Sequence, residues 1–416
     1  MKTLLGHRFG YVAANVFISG LGFLRNVLFM RLMGQGDLGQ IALMQTISMS
    51  VGLLQFGLIN GGYRIYASGD PITNRRVNNN VFTSLTFLAA LLLIGLLVAG
   101  QTGLPAGSPI HFETVVFGIA TGIATLSSTW TNNTLVAEGR LGLSNFINLG
   151  AAIGSLLVAV FAGKMGLHLA LLAVLIQPVV VTVLALMLNP AIRPRPSLGN
   201  KILRELLALG FFPFCTGVLT LVNMQVERWF IIFDMGAEPL GRYYIVMIYA
   251  MIFSLVPVSF LNLYFPKAIR AYEAGNQNVF FGIVRRHLNA LLLYIVALAV
   301  LTGLLLGWAL NTFLVNFSGQ ERLVFLSLPG LVALTFFDSA ALVLQSTRRM
   351  LPIFLFGAIA LIVNTALLAG AVAIGKLSLE FAAIAKSAGY IVAGLIIIVP
   401  LFLRRKYIFS MVESRR

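Results

Sequence analysis

Long apolar runs separated by short polar gaps dominate this chain, and none alternates polar and apolar residues with the period of a strand. Twelve runs are long enough to cross a bilayer, at about 11–33, 38–63, 80–100, 113–136, 143–163, 167–188, 208–233, 240–263, 288–310, 323–346, 351–374 and 380–403. A spanning helix needs about 20 mostly apolar residues, because hydrocarbon offers no partner to backbone N–H and C=O groups. Only helices and closed barrels satisfy those groups internally. The pattern therefore predicts an all-α integral membrane protein with twelve transmembrane helices.

Composition supports the bilayer as solvent: 59% of the 416 residues are hydrophobic and 10% charged, against about 25% charged in soluble domains. The formal net charge of +16 invites a nucleic-acid reading until the basic positions are placed on the pattern. Of the 29 Lys and Arg residues, Arg25, Arg31, Arg228 and Lys386 fall within runs and Arg64 at the end of one, and Lys164, Arg242, Arg322 and Lys376 fall in or beside the odd-numbered gaps. The remaining twenty occupy the even-numbered gaps and the two tails. This is the positive-inside asymmetry. It predicts a multi-pass protein of the cytoplasmic (inner) membrane with both termini cytoplasmic, membrane lipids around it and no nucleic-acid partner.

Cysteine and signal patterns add little. The single cysteine, Cys215, lies inside the seventh run and excludes an intrachain disulfide framework. The first run is long, carries Arg25 and lacks a small-residue cleavage pattern, which argues against a removable signal peptide.

An internal repeat organises the runs. At an offset of 202, "LMGQGDLGQIALM" (32–44) aligns with "DMGAEPLGRYYIV" (234–246), so that Gly34 falls on Gly236 and Gly39 on Gly241. Further along, "LVAEGRLG" (135–142) is similar to "LVLQSTRRM" (342–350). Because six is even, two six-helix units share one orientation and are expected to be related by a pseudo-two-fold axis along the membrane normal, a transporter architecture. The expected organisation is an N-terminal lobe (1–188), a cytoplasmic linker (189–203) and a C-terminal lobe (204–416). The basic, amphipathic stretch near 266–286 is expected to form a helix lying in the interface.

Charge inside a span costs at least about 2.5–3.5 kcal/mol, so such residues face a cavity or one another. Arg25, Glu227, Arg228, Asp338 and Lys386 qualify, whereas Arg31 and Arg64 lie near span ends. Polar stripes at helical spacing run through Asn15, Ser19, Gly22 and Asn26, through Gln45, Ser48, Gly52 and Gln55, and through Thr216, Thr220, Asn223 and Glu227. Such stripes suggest a hydrated interior, or helix–helix packing where they are Ser and Gly. Arg25 is the expected partner of Glu227, since 25 plus 202 is 227 and the repeat sets both at equal depth. Asp338 and Lys386 are expected to pair or to serve coupling. The candidate lining set is Arg25, Asn26, Asn15, Gln55, Arg64, Asn223, Glu227 and Arg228.

No enzyme signature emerges. His7, His111, His168 and His287 form no metal-spaced pair, and no Walker loop is present. No metal, cofactor or catalytic role is expected.

Several stretches resemble the polysaccharide and oligosaccharide flippases, O-antigen or exopolysaccharide repeat-unit type, of the multidrug/oligosaccharidyl-lipid/polysaccharide superfamily. They are "RLMGQGDLGQIALMQTI", "VERWFII" followed by "MGAEPLGRYYI", "YFPKAIRAYEAGNQ" and the "EGR" closing the fourth run. The resemblance implies movement of polyprenyl-diphosphate-linked oligosaccharide from the cytoplasmic to the outer leaflet by alternating access. It further implies a lining role for Arg25, Glu227 and Arg228, with a glycan polymerase and other polysaccharide-assembly proteins as candidate partners. The alternative is a proton- or sodium-coupled drug or metabolite exporter of the same superfamily. That reading would favour carboxylates in the first lobe, where the runs carry no clear mid-membrane Asp or Glu. A membrane-bound glycan polymerase would need a long outward loop, and the outward gaps are short.

Overall fold

The computed structural model describes residues 8–102, 108–197, 199–347 and 349–403. Lys2, His7, Arg348, Arg404, Arg405, Lys406, Arg415 and Arg416 lie outside the described residues, as do both chain ends.

Fourteen α-helices follow one another among the described residues. They are α1 (Arg8–Leu32), α2 (Gln35–Leu53), α3 (Leu58–Ser68), α4 (Pro71–Thr102), α5 (Phe112–Ala137), α6 (Leu141–Met165) and α7 (Leu167–Leu188), then α8 (Asn200–Asn223), α9 (Val226–Asp234), α10 (Ala237–Glu273), α11 (Gln277–Phe313), α12 (Glu321–Ser346), α13 (Leu351–Ala373) and α14 (Leu379–Leu403). No strand occurs among the described residues. Among the described residues nine helical stretches are long and apolar enough to cross a membrane, α8 and α9 counting as one, and the bent pair α2 and α3 makes a tenth. The chain is a multi-pass membrane protein.

The break between α2 and α3 has a local cause. Phe56 at φ 47° and Gly57 at φ 87° take the left-handed region, which glycine tolerates and phenylalanine does not favour. The helices bend by 61° there. Gln55 Oε1 accepts the Ile59 amide at 3.0 Å, satisfying one of the donors the break exposes.

The chain separates into two compact units: residues up to Leu221 with Met235–Gly241, and Val222–Asp234 with the residues from Arg242 onward. The division therefore falls at the end of α8 and not within the expected 189–203 linker. Glycine contacts explain why most of α8 belongs to the first unit. A Cβ on Gly57, just before α3, or on Gly61 of α3 would stand 2.5 or 1.9 Å from backbone atoms of Gly210 or Leu206, and one on Gly210 would stand 1.9 Å from the Gly57 carbonyl oxygen. Backbones that close leave no room for a Cβ at these glycines, and between Gly57 and Gly210 glycine stands on both sides. The start of α10 joins the same unit in like fashion, because a Cβ on Gly39 would meet the Ala237 oxygen at 1.8 Å and one on Gly241 would meet the Gln35 oxygen at 1.7 Å. The unit's core gathers Val51, Leu58, Ile59, Val77, Val81, Leu126, Trp130 and Leu206.

The linker after α7 is strapped to α4. Asn78 Nδ2 donates to the Ile192 carbonyl (2.8 Å), Asn79 Oδ1 accepts the Arg195 amide (2.9 Å), and Asn80 Oδ1 accepts the Gly199 amide (2.7 Å). Consecutive helical residues point about 100° apart. Three asparagines in a row can therefore hold one chain only if it winds around the helix.

In the second unit α12 and α13 pack on α14, with Phe337, Phe356 and Tyr390 in their core. The stretch 266–286 is not a separate interfacial helix. It is the end of α10 and the start of α11, joined by a turn at Ala274–Asn276 in which Gly275 takes φ 69° and Asn276 Oδ1 caps the Val279 amide at 3.1 Å. Its apolar face is covered by protein: Ala268 and Ala271 of α10 and Phe280 and Val284 of α11 close against Leu342 and Val343 of α12. Amphipathic periodicity identifies a buried face without saying whether lipid or protein buries it.

Candidate functional site

Arg25 sits about two helical turns before the end of α1, on a helix that packs against α6. Its Nη1 donates to Ser155 Oγ of α6 (2.8 Å) and to Gln177 Oε1 of α7 (3.0 Å). Ser155 Oγ donates its own hydrogen bond to the Ala173 carbonyl (2.5 Å), so the hydroxyl is oriented to accept from the guanidinium. Pro178 follows Gln177 inside α7. Proline removes one helical hydrogen bond and loosens the turn, and Thr182 Oγ1 bonds the Pro178 carbonyl at 2.9 Å.

A cavity of about 300 Å³ opens beside this cluster within the first unit. Arg25, Gln45, Ser48, Thr121, Thr125, Ser128, Asn148 and Gln177 give it a wall of hydroxyls and amides, contributed by five helices. Among the described residues that line it, Arg25 is the one charged side chain. Cationic, carboxylate-poor and rich in neutral hydrogen-bonding groups, it suits an anion that carries hydroxyls better than it suits a cation.

The second unit holds its own buried charges. The Lys386 ammonium of α14 pairs with Glu227 of α9, with side-chain exposures of 8% and 0%. Burial that deep requires a partner, since an isolated charge removed from water costs several kcal/mol. Arg228 is buried next to it, and the hydroxyl-bearing rings of Tyr243 and Tyr390 are buried in the neighbourhood of Glu227. One turn earlier, Asn223 Oδ1 accepts from Asn364 Nδ2 of α13 at 3.1 Å. Asp338 of α12 is half-buried and has no hydrogen bond or ion pair among the described residues.

The structure redistributes the predicted pairs. Glu227, expected to pair with Arg25, pairs with Lys386, and Lys386 is thereby not the partner of Asp338. Arg25 instead binds the neutral groups of Ser155 and Gln177. Equal depth in a repeat fixes a residue's height and leaves its direction open. Of the lining set, Arg25 lies on the cavity of the first unit, and Asn26 is buried beside it without lining it. Asn15 and Arg64 are exposed on their helices. Gln55 caps α3 and borders a different, apolar pocket. The third stripe is interrupted, because α8 ends at Asn223 and Glu227 belongs to α9. Thr216 and Thr220 bond carbonyls of their own helix at 3.3 and 3.5 Å.

Ser155, Gln177 and Asn364 escaped the sequence reading. Gln177 carried a usable signal: in "LLAVLIQPVVVTVLALML" it is one of two polar residues in eighteen, directly before a proline.

No protein-family model matches the chain, and no curated protein matches it in sequence. Solved structures do match its fold. A multidrug resistance MATE family transporter of the MOP superfamily, in an inward-facing conformation, is 14% identical, aligns over 94% of this chain and 95% of its own, and superposes with a TM-score of 0.73. The lipid II flippase MurJ in an inward closed conformation is 14% identical over 96% of this chain and 89% of its own, with a TM-score of 0.75. A MOP superfamily transporter from Pyrococcus furiosus, described as having a binding pocket of reversed polarity, is 14% identical over 96% of both chains, with a TM-score of 0.65. Identities this low establish shape, and the shape is that of the membrane transporters of the MOP superfamily.

Proposed function

We propose that this protein is a flippase that moves polyprenyl-diphosphate-linked oligosaccharide repeat units from the cytoplasmic to the outer leaflet by alternating access, for cell-surface polysaccharide synthesis. One observation carries the reading: the cavity of the first unit presents Arg25 among amides and hydroxyls, with no carboxylate in its wall. The guanidinium fork matches phosphate oxygens, and the neutral groups match sugar hydroxyls. The likeness to a lipid II flippase agrees with a lipid-linked cargo.

The same proposal takes the chain as twelve spans in two six-helix repeats. Counting α2 with α3 and α8 with α9 as single spans, and adding α1 and α10, gives that number. The close contacts of Gly39 with Ala237 and of Gly241 with Gln35 support the internal repeat, since each maps onto the other when 202 is added to one partner and subtracted from the other. The basic gaps support a reading with both termini in the cytoplasm and the protein in the inner membrane. A glycan polymerase acting on the flipped repeat unit is the expected partner.

The test is surface glycan in cells that carry Arg25→Ala or Gln177→Leu at wild-type protein levels. Loss of glycan with accumulation of the lipid-linked precursor on the inner leaflet is expected, and unchanged glycan in both variants would overturn the reading. A second reading, a proton- or sodium-coupled exporter, is favoured by one observation, the half-buried Asp338 in a span of the second unit. Substrate efflux that collapses with Asp338→Asn, together with normal surface glycan, would establish it in place of the first.

A further inference from the structure

In the first unit, α4 borders two cavities of opposite character. One, about 810 Å³, lies where α3 ends, α4 begins and the linker leaves α7, and Arg75, Arg193 and Arg195 line it. The carboxylate in that wall, Glu138, is already engaged: Tyr66 Oη donates to it at 2.7 Å, Asn189 Nδ2 at 2.9 Å, and Arg140 Nε stands 3.2 Å away. The charge left to a ligand is that of three guanidinium groups, two of them set there by the asparagine strap.

The second cavity, about 330 Å³, lies at the break between α2 and α3, walled by Leu54, Phe56, Leu85, Leu88, Leu203 and Leu207. Along α4, ten residues separate Arg75 from Leu85, which is about 15 Å at 1.5 Å per residue. That is about the depth of one leaflet of a ~30 Å hydrocarbon core. Asn78 in the first wall and Leu85 in the second are seven residues apart, so they share one face of the helix to within about 20°. Phe56 and Phe87 at the second cavity are 57% and 62% exposed.

We propose that this face of the first unit holds an anionic phospholipid, its phosphate on Arg75, Arg193 and Arg195 and an acyl chain in the groove at the helix break. A basic pocket at the ends of spans and an apolar groove one leaflet deeper reproduce the two ends of such a molecule. A soluble phosphate would use the arginines alone and gain nothing from the groove. The site shares no residue with the Arg25 cavity and stands whatever the cargo is.

Purified full-length protein in neutral detergent, titrated with phosphatidylglycerol and followed by native mass spectrometry and thermal unfolding, tests this. Phosphatidylglycerol binds and raises the unfolding temperature more than phosphatidylcholine, and Arg75→Glu, Arg193→Glu and Arg195→Glu together weaken it roughly a hundredfold. Leu88→Trp, which fills the groove, weakens phosphatidylglycerol and leaves inorganic phosphate unaffected. No preference for phosphatidylglycerol in the wild type overturns the proposal. So does equal stabilisation by inorganic phosphate or by glycerophosphoglycerol, the headgroup without its chains, a comparison that needs no variant to fold.

Discussion

Gly39 lies so close to Ala237 that a single added methyl group would come within 1.8 Å of the Ala237 carbonyl oxygen. The reciprocal contact, Gly241 against Gln35 at 1.7 Å, leaves neither helix room to retreat. Overpacking of this kind costs about 1–3 kcal/mol when the obstacle is a side chain, and here it is backbone. Gly39→Ala and Gly241→Ala are each expected to lower the unfolding temperature in detergent, with Val at either position abolishing accumulation of folded protein. Gly36, whose Cβ position is open, is the control and should tolerate alanine.

The Arg25 cluster separates charge from geometry. Arg25→Lys keeps the charge and loses the planar fork that reaches Ser155 and Gln177 together. Charged hydrogen bonds contribute about 1.5–3 kcal/mol, so a ten- to hundredfold drop in transport is expected for lysine, and a further drop for alanine. Transport assays in reconstituted vesicles check this, with equal protein incorporation as the condition.

Glu227 and Lys386 make a prediction about stability. Removing one member of a buried pair costs about 3–5 kcal/mol, because the survivor stays buried and uncompensated, whereas replacing both with apolar residues of similar size is often neutral. Glu227→Leu and Lys386→Met are each expected to destabilise the protein, and the double variant to recover most of the loss. Unfolding in denaturant would reveal it, and a double variant as unstable as the sum of the singles would exclude the pairing as the cause.

Asp70 precedes α4 and caps it, accepting the Thr73 amide at 2.8 Å and the Ile72 amide at 2.9 Å. The Thr73 bond, with the Ile72 bond and Arg76 in support, holds its carboxyl below the usual range. A carboxylate with a depressed folded-state pKa adds stability above its unfolded pKa and loses it as pH falls through the folded value. The first turn of α4 is therefore expected to exchange its amide hydrogens faster, after correction for intrinsic rates, once pH drops below the ordinary carboxylate range. Asp70→Asn, which keeps the cap without the titration, should show no such pH dependence.

The sequence revealed the helices far better than their partners. Apolar length alone located the nine helical stretches, and the bent pair that makes a tenth, that are apolar enough to cross a membrane among the described residues, because the bilayer imposes one requirement on every one of them. The break at Gln55–Gly57 was less visible, although Gly57 is the residue such a break needs, and the interruption between Asn223 and Val226 carries no glycine or proline at all. The pairing of Glu227 with Lys386 links residues 159 apart, and no local pattern encodes which face of α14 turns toward α9. Arg25 could be picked out because charge in a span is costly. Ser155, neutral and inexpensive to bury once bonded, gave no such warning, and Gln177 gave a weaker one, as an amide before a proline in an apolar run.

The asparagine strap has a mechanical consequence. A proline-rich connector between two halves of a chain looks like a loose tether, yet Asn78, Asn79 and Asn80 bind its backbone at Ile192, Arg195 and Gly199, and the helix it leads into is locked by Gly57 and Gly210. The connector is therefore a splint, moving as one piece with α4 and α8. Cleaving the connector would then sever the polypeptide while its two ends stayed bound to α4 through Asn78 and Asn80.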